Sequence, residues 1–227
     1  MNWHRDFESL RVNVTLRSNI VCDAWLPLDA ILLYQASREQ FGPQAATLPG
    51  GESESQDVPM PLAIRNPGPD WYYACSWAQP QPWWVAEGID HWNKRFDSAF
   101  AFLVDFAGKS AKVIIEKGTY RAYHMPIYYR ITRQIDWFCV GDGKEIGRLL
   151  SDVTHIGKKR AQGWGRVERW SIEPWPHDWS EWREGKLTRG IPMNLIPPGQ
   201  VISPMFYGLR PSYYRRENQR PLAICLS

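Results

Sequence analysis

The chain has 227 residues, 44 % of them hydrophobic and 22 % charged, with a formal net charge of +3. That is enough for one large domain, or a compact domain with insertions, and for a sizeable core. No run approaches the roughly 18 apolar residues of a membrane span, and Met1-Asn2-Trp3-His4 lacks a signal peptide's apolar stretch, so the sequence predicts a cytoplasmic protein with no membrane partner.

Leu10, Val12, Val14 and Leu16 alternate with Arg11, Asn13, Thr15 and Arg17. That period of two predicts a strand with one buried face and one polar, basic face. Pro27 introduces a helix predicted over residues 28–38, with Leu28, Ile31, Leu32 and Gln35 on one side. From Phe41 to Pro69 the composition shifts to Gly, Pro, Ser, Glu and Gln, the start of an insertion read at about residues 40–97. Within it, Trp71–Trp84 reads as a strand followed by an irregular, aromatic arm. Phe100, Phe102, Val104 and Phe106 alternate again, and Ala107-Gly108-Lys109-Ser110 predicts a hairpin turn into residues 111–117.

Ile135–Val140 is a short apolar strand. Asp142, with Glu145 three residues on, forms a capping-box pattern, and Ile146, Leu149, Leu150 and Val153 follow the i, i+3, i+4, i+7 rule of an amphipathic helix. Another strand is predicted over Val167–Glu173. The order of elements gives an α+β protein with a ferredoxin-like βαββαβ core in residues 1–173, its helices on one sheet face and the other face free for RNA. Residues 174–227, rich in Pro and aromatics, read as an irregular tail packed on the domain or on a neighbouring subunit.

Between the capped helix and the last core strand lies Ile156-Gly157-Lys158-Lys159-Arg160-Ala161-Gln162-Gly163-Trp164-Gly165-Arg166-Val167. Glycines let a backbone pass through positive φ, and successive N–H groups in such a bend make an anion-binding nest. Lys158, Lys159, Arg160 and Arg166 add charge for phosphates; Gln162 can bond a base edge, and Trp164 offers a flat face for a base. No Walker motif fits, because G-x-x-x-x-G-K-[ST] is absent and a strand follows. A solvated basic turn explains the charges equally simply. Basic residues concentrate in the second half of the chain, which suits a polyanion. The cysteines Cys22, Cys75, Cys139 and Cys225 are scattered, without C-x-x-C, so neither disulfides nor a metal site are expected, and no cofactor.

This loop, entered from a capped helix and leaving into a strand, resembles the glycine-rich loop of the RAMP superfamily of class 1 CRISPR effector proteins. Leu26–Leu33, Trp92-Asn93-Lys94-Arg95-Phe96 and Gly118-Thr119-Tyr120-Arg121 resemble its type IV, Cas-five-like branch, and the match covers residues 8–173. The resemblance implies a non-catalytic subunit that holds the 5′ handle of the crRNA, caps a filament of backbone subunits and contacts the large subunit. In related complexes this end also meets duplex DNA beside the target, near the protospacer-adjacent motif. RNA contacts are then expected at Gly157, Lys158, Lys159, Arg160, Gln162, Gly163, Trp164, Gly165 and Arg166, and at Lys94, Arg95, Tyr120, Arg121, Tyr123 and His124. Alternatives stand beside these. Trp164 can instead pack under the loop, Lys94 and Arg95 can lie on a solvated helical turn, and Tyr120 and Tyr123 can be ordinary sheet residues. His155 adjoins the loop, so a metal-independent repeat endoribonuclease on the same fold is the competing function.

Overall fold

The computed structural model describes residues 7–23, 25–42, 58–81, 86–97, 99, 116 and 120–224. The predicted hairpin at 100–117 and the Gly/Ser-rich stretch at 43–57 lie outside the described residues, Glu116 apart.

Alternation produces the first strand, β1 (Glu8–Leu16), whose Leu10, Val12, Val14 and Leu16 are buried. Each such side chain contributes about 1.5–3 kcal/mol on leaving water. Helix α1 (Leu28–Phe41) follows Pro27 and runs three residues past the predicted end, stopping at Gly42 with φ +80°. Leu28, Leu32 and Ala36 point into the core. Then come β2 (Ile64–Arg65), β3 (Tyr72–Tyr73), β4 (Gln79–Gln81), β5 (Ala86–Lys94), β6 (Tyr123–Ile131) and β7 (Gln134–Gly141). Helix α2 (Gly143–Leu150) is capped by Asp142, whose carboxylate accepts from the N–H groups of Lys144 and Glu145. Val153, the last periodic position, lies beyond the helix but is still buried.

The main sheet has the order β4-β7-β1-β8, where β8 is Val167–Pro174, and every neighbouring pair is antiparallel. One strand of it, β4, comes from within the expected insertion. Residues of α1 and α2 join Leu10, Val12, Val14, Leu16, Ile135, Trp137 and Cys139 in one apolar cluster, so both helices pack against the same face of the sheet. The chain is therefore α+β.

The opposite face is not open along its whole length, as the sequence suggested. Arg11 donates to Asp136 at 2.9 Å and to Glu173 at 3.0 Å, and Asn13 donates to Asp136 at 2.6 Å. Phe138 is covered by Trp175 and Trp179, with ring centroids 5.5 and 4.9 Å away. Acids neutralise the basic stripe, and the returning chain buries the aromatic.

The last third is also more regular than expected. It carries β9 (Trp182–Arg183), β10 (Lys186–Leu187), β11 (Ile191–Pro192), β12 (Ser203–Gly208) and β13 (Gln219–Ile224). β9 pairs with β10, and β13 lies between β11 and β12. Strands this short, interrupted by Pro192, Pro204 and Pro221, leave no readable period. Ile191, Leu209 and Leu222 close over Tyr72 in a second small core. Arg189 is buried and donates to the carbonyls of Tyr73, Cys75 (3.0 Å) and Leu209 (2.8 Å). Tyr213 donates to the carboxylate of Asp29, a buried residue in the first turn of α1. Burial pushes the Asp29 carboxyl above its ordinary value, while Arg189 and the Tyr213 hydrogen bond act the other way.

Candidate nucleic-acid interface

The glycine-rich bend starts at Ile156, a few residues beyond α2, and is stitched to the segment after β1. Ile156 donates its N–H to Gly165 O (2.9 Å), Lys158 to Val21 O (2.6 Å) and Gly165 to Asn19 O (2.8 Å). Ser18 ties the two limbs together: its hydroxyl donates to Gly163 O and accepts from the Arg166 N–H, both at 2.9 Å. Within this frame Gly157, Lys159, Gly163 and Gly165 all have positive φ, and Arg160–Gln162 form a single 3-10 turn. Lys159 at φ +58° costs about 1 kcal/mol relative to an ordinary conformation, strain of the kind that collects at ligand-gripping turns. Gly165 is required twice over, because a Cβ there would lie 3.0 Å from the carbonyl carbon of Ile156 and closer still to its oxygen.

The bend spreads its cations over three neighbours. The Lys158 ammonium meets Asp23 at 2.7 Å, both side chains well exposed. Such a surface pair is worth about 0–1 kcal/mol, little enough for a phosphate to displace the carboxylate. Lys159 lies 5.1 Å over the ring of Trp92, and Arg160 lies 5.3 Å over Tyr34 of α1. Trp164 is half-buried and stacks on Tyr129 at 4.9 Å with 29° between the rings. Its partner is thus the β5–β6 ribbon rather than the underside of the loop. Gly88 permits this, since a Cβ opposite Tyr129 would run into that ring. Gln162 and Arg166 are exposed.

The second group of expected residues divides between the two sides of the ribbon. Side chains alternate along a strand, and register pairs Trp92 with Met125 and Lys94 with Tyr123. Trp92, Lys94, Tyr123 and Tyr129 therefore share the face that meets the bend. Lys94 and Arg121 sit 6.0 and 5.5 Å over the Tyr123 ring. His124 belongs to the other face, stacked on His91 at 4.5 Å with its Nδ1 2.5 Å from Asn93 Oδ1. Lys94 ends a strand rather than sitting on a helical turn, and Arg95 follows it, exposed. Tyr120 packs edge-on against Phe96 at 5.0 Å.

Two clefts border the bend. One, of about 500 Å³, is lined by Tyr34, Arg38, Thr154, His155 and Arg160. The other, of about 290 Å³, lies between Trp25, Tyr34, Tyr207, Cys22 and Lys158. Sequence reasoning missed Ser18, Tyr34, Arg38, Trp25 and Tyr207. Only Tyr34 and Arg38 left a signal, an aromatic and a cation at i and i+4 on one helix face, and the Arg38 guanidinium is 5.8 Å from the Tyr34 ring. Burial pushes the Cys22 thiol up to about 11, which favours its neutral form. Cys75 and Cys139 are buried free thiols held neutral by burial as well. His155 Nδ1 meets the Thr154 hydroxyl at 3.1 Å. Among the described residues no group of three His, Cys, Asp or Glu is placed to hold a metal ion, and no helix is long and apolar enough to cross a membrane.

An antiparallel sheet backed by two helices, with a strained, cation-bearing glycine bend at one end and an aromatic ribbon leaning on it, defines an α+β protein with a basic, aromatic edge. The family of CRISPR type IV associated protein Csf3 matches residues 8–225, and the chain belongs to that family. The match runs beyond residue 173 and takes in β9–β13, so the C-terminal strands belong to the family's common body. No curated protein matches the chain. Membership makes this a type IV CRISPR-associated subunit, which implies a complex with other proteins of that system.

Proposed function

We propose that this protein is a non-catalytic subunit that binds the 5′ handle of the crRNA through the glycine-rich bend, ends the filament of backbone subunits and contacts the large subunit and the duplex near the protospacer-adjacent motif. The observation that carries the reading is the bend itself: four residues at positive φ, tied down by Ser18, hold Lys158, Lys159, Arg160 and Arg166 along one edge. Phosphates would take the lysines and arginines, with exposed N–H groups of the bend as further donors. Trp164, with one ring face already on Tyr129, would offer the other to a base, and Gln162 a base edge. Tyr123, Lys94 and Trp92 would extend the surface along the ribbon. The sheet order supports a ferredoxin-like core in which the short β4 takes the place of the second strand.

Salt titration of repeat-RNA binding tests this. Lys159→Ala with Arg160→Ala removes two phosphate partners, and at about 0.7 per contact on a single strand the log–log slope should flatten by roughly 1–2 units. An unchanged slope and affinity would remove the bend from the RNA site. Incubating repeat RNA without divalent metal checks the catalytic alternative: cleavage lost in His155→Ala would make the protein an endoribonuclease.

A further inference from the structure

We propose that the RNA strand gripped at the bend continues onto a second, arginine-lined surface formed by Arg17, Arg166 and Arg169 at the loop end of the sheet's outer face, with Arg133 exposed in the adjoining turn. The inference rests on the reading of the bend as an RNA site. Backbone geometry brings the four together. Leu16 donates its N–H to Arg133 O and Arg17 donates its N–H to Arg166 O, both at 2.8 Å, and Arg169 is the register partner of Thr15. Because β7 and β8 flank β1, the four backbones fall within about 10 Å across the sheet.

All four side chains are exposed, and none makes an ion pair with a described residue. Several other arginines of the fold are neutralised: Arg11, Arg65, Arg148 and Arg220 each meet a carboxylate. Glu168, in the bulge beside Arg169, pairs with none of the four. Like charges fixed side by side on a rigid sheet repel one another, and a polyanion relieves that repulsion. All are Arg, whose planar fork matches phosphate oxygens two at a time.

Charged residues also guard sheet edges against unwanted pairing, and β8 is an edge strand. That accounts for Arg169 and its neighbour Arg166. It does not account for Arg17, at the end of central β1, or Arg133, in the turn leading into β7. Continuity selects the occupant. Arg166 closes the glycine bend, and the Ser18 hydroxyl that holds it also holds Gly163, so the patch and the bend form one rigid track. The opposite end of this face is closed by Trp175 and Trp179 over Phe138, which directs the strand to the open half.

The test uses the full chain carrying Arg17→Gln, Arg133→Gln and Arg169→Gln, with Arg166 and the bend intact. Salt titrations are run on a repeat-derived single-stranded RNA, on a 5′ fragment too short to leave the bend, and on duplex DNA. Loss of two to three phosphate contacts should flatten the slope for the long RNA by about 1.4–2.1 units and leave the short fragment unchanged. The corresponding lysine variant should keep the wild-type slope. Equal slopes for wild type and glutamine variant on the long RNA overturn the proposal, as does a loss confined to duplex DNA. If the triple variant is insoluble, Arg17→Gln and Arg133→Gln singly should each flatten the slope by about 0.7. The Lys159→Ala/Arg160→Ala pair reads the bend separately: no effect there overturns the RNA site itself, whereas an effect there with none from the arginines overturns only this extension.

Discussion

Replacing Gly165 with alanine, and comparing it with the same change at Gly163, separates steric need from conformational preference within one turn. Both residues have positive φ, +65° and +88°, so each substitution carries the left-handed penalty of about 1–2 kcal/mol. At Gly163 nothing lies within 4 Å of the new Cβ, and the cost stops there. At Gly165 the methyl collides with the Ile156 carbonyl, and relief requires moving apart two residues held by two hydrogen bonds, Ile156 N–H to Gly165 O and Gly165 N–H to Asn19 O. Losing both adds about 2 kcal/mol at about 1 kcal/mol each. Gly165→Ala should therefore be less stable than Gly163→Ala by about 2 kcal/mol, a difference of roughly 4–8 °C in Tm for a chain of this size. Thermal melts followed by near-UV circular dichroism measure it. Equal melting temperatures would refute the reasoning, because they would mean that the bend yields without strain where the methyl intrudes.

Trp164→Ala should weaken RNA binding by about 1–3 kcal/mol if its free face stacks a base; a lowered melting temperature with unaltered affinity would confine the ring to its contact with Tyr129. The pH dependence of stability has a defined sign at Asp29. Its folded pKa lies above the unfolded value of about 3.9, so the folded state holds the proton more tightly and stability falls as pH rises from that value through the folded pKa. Asp29→Asn should abolish this loss, and denaturant titrations with the same pH profile in both proteins would contradict it. Cys22, with a thiol lifted to about 11, should alkylate slowly at pH 8, and Cys75 and Cys139 only after unfolding, as timed mass spectrometry of iodoacetamide adducts would record.

What the sequence made legible were features carried by short-range periodicity and residue type. The alternation of Leu10–Leu16 and the capped run from Asp142 to Leu150 each determine a buried face locally, and both elements formed as expected. The glycine bend was visible because its residue types dictate its backbone. The partners of that bend were not visible. Which ring Trp164 meets depends on the register of β5 and β6 and on Gly88 yielding space to Tyr129, a long-range relation that leaves no local trace. The same register puts His124 on the far side of the ribbon from Tyr123, although the two are adjacent in sequence. Arg11 read as a free cation because its acids, Asp136 and Glu173, lie more than a hundred residues away. The C-terminal strands were lost to brevity and proline.

The hydrogen bond from Tyr213 to Asp29, with Arg189 close behind it, spans 184 residues of chain. A fragment cut after β8 would strand a carboxylate in apolar surroundings at the very start of the helix that carries Tyr34 and Arg38. Attempts to shrink this protein to a minimal RNA binder should consequently retain everything through Ile224, since the distal strands act as the clamp that sets that helix in place.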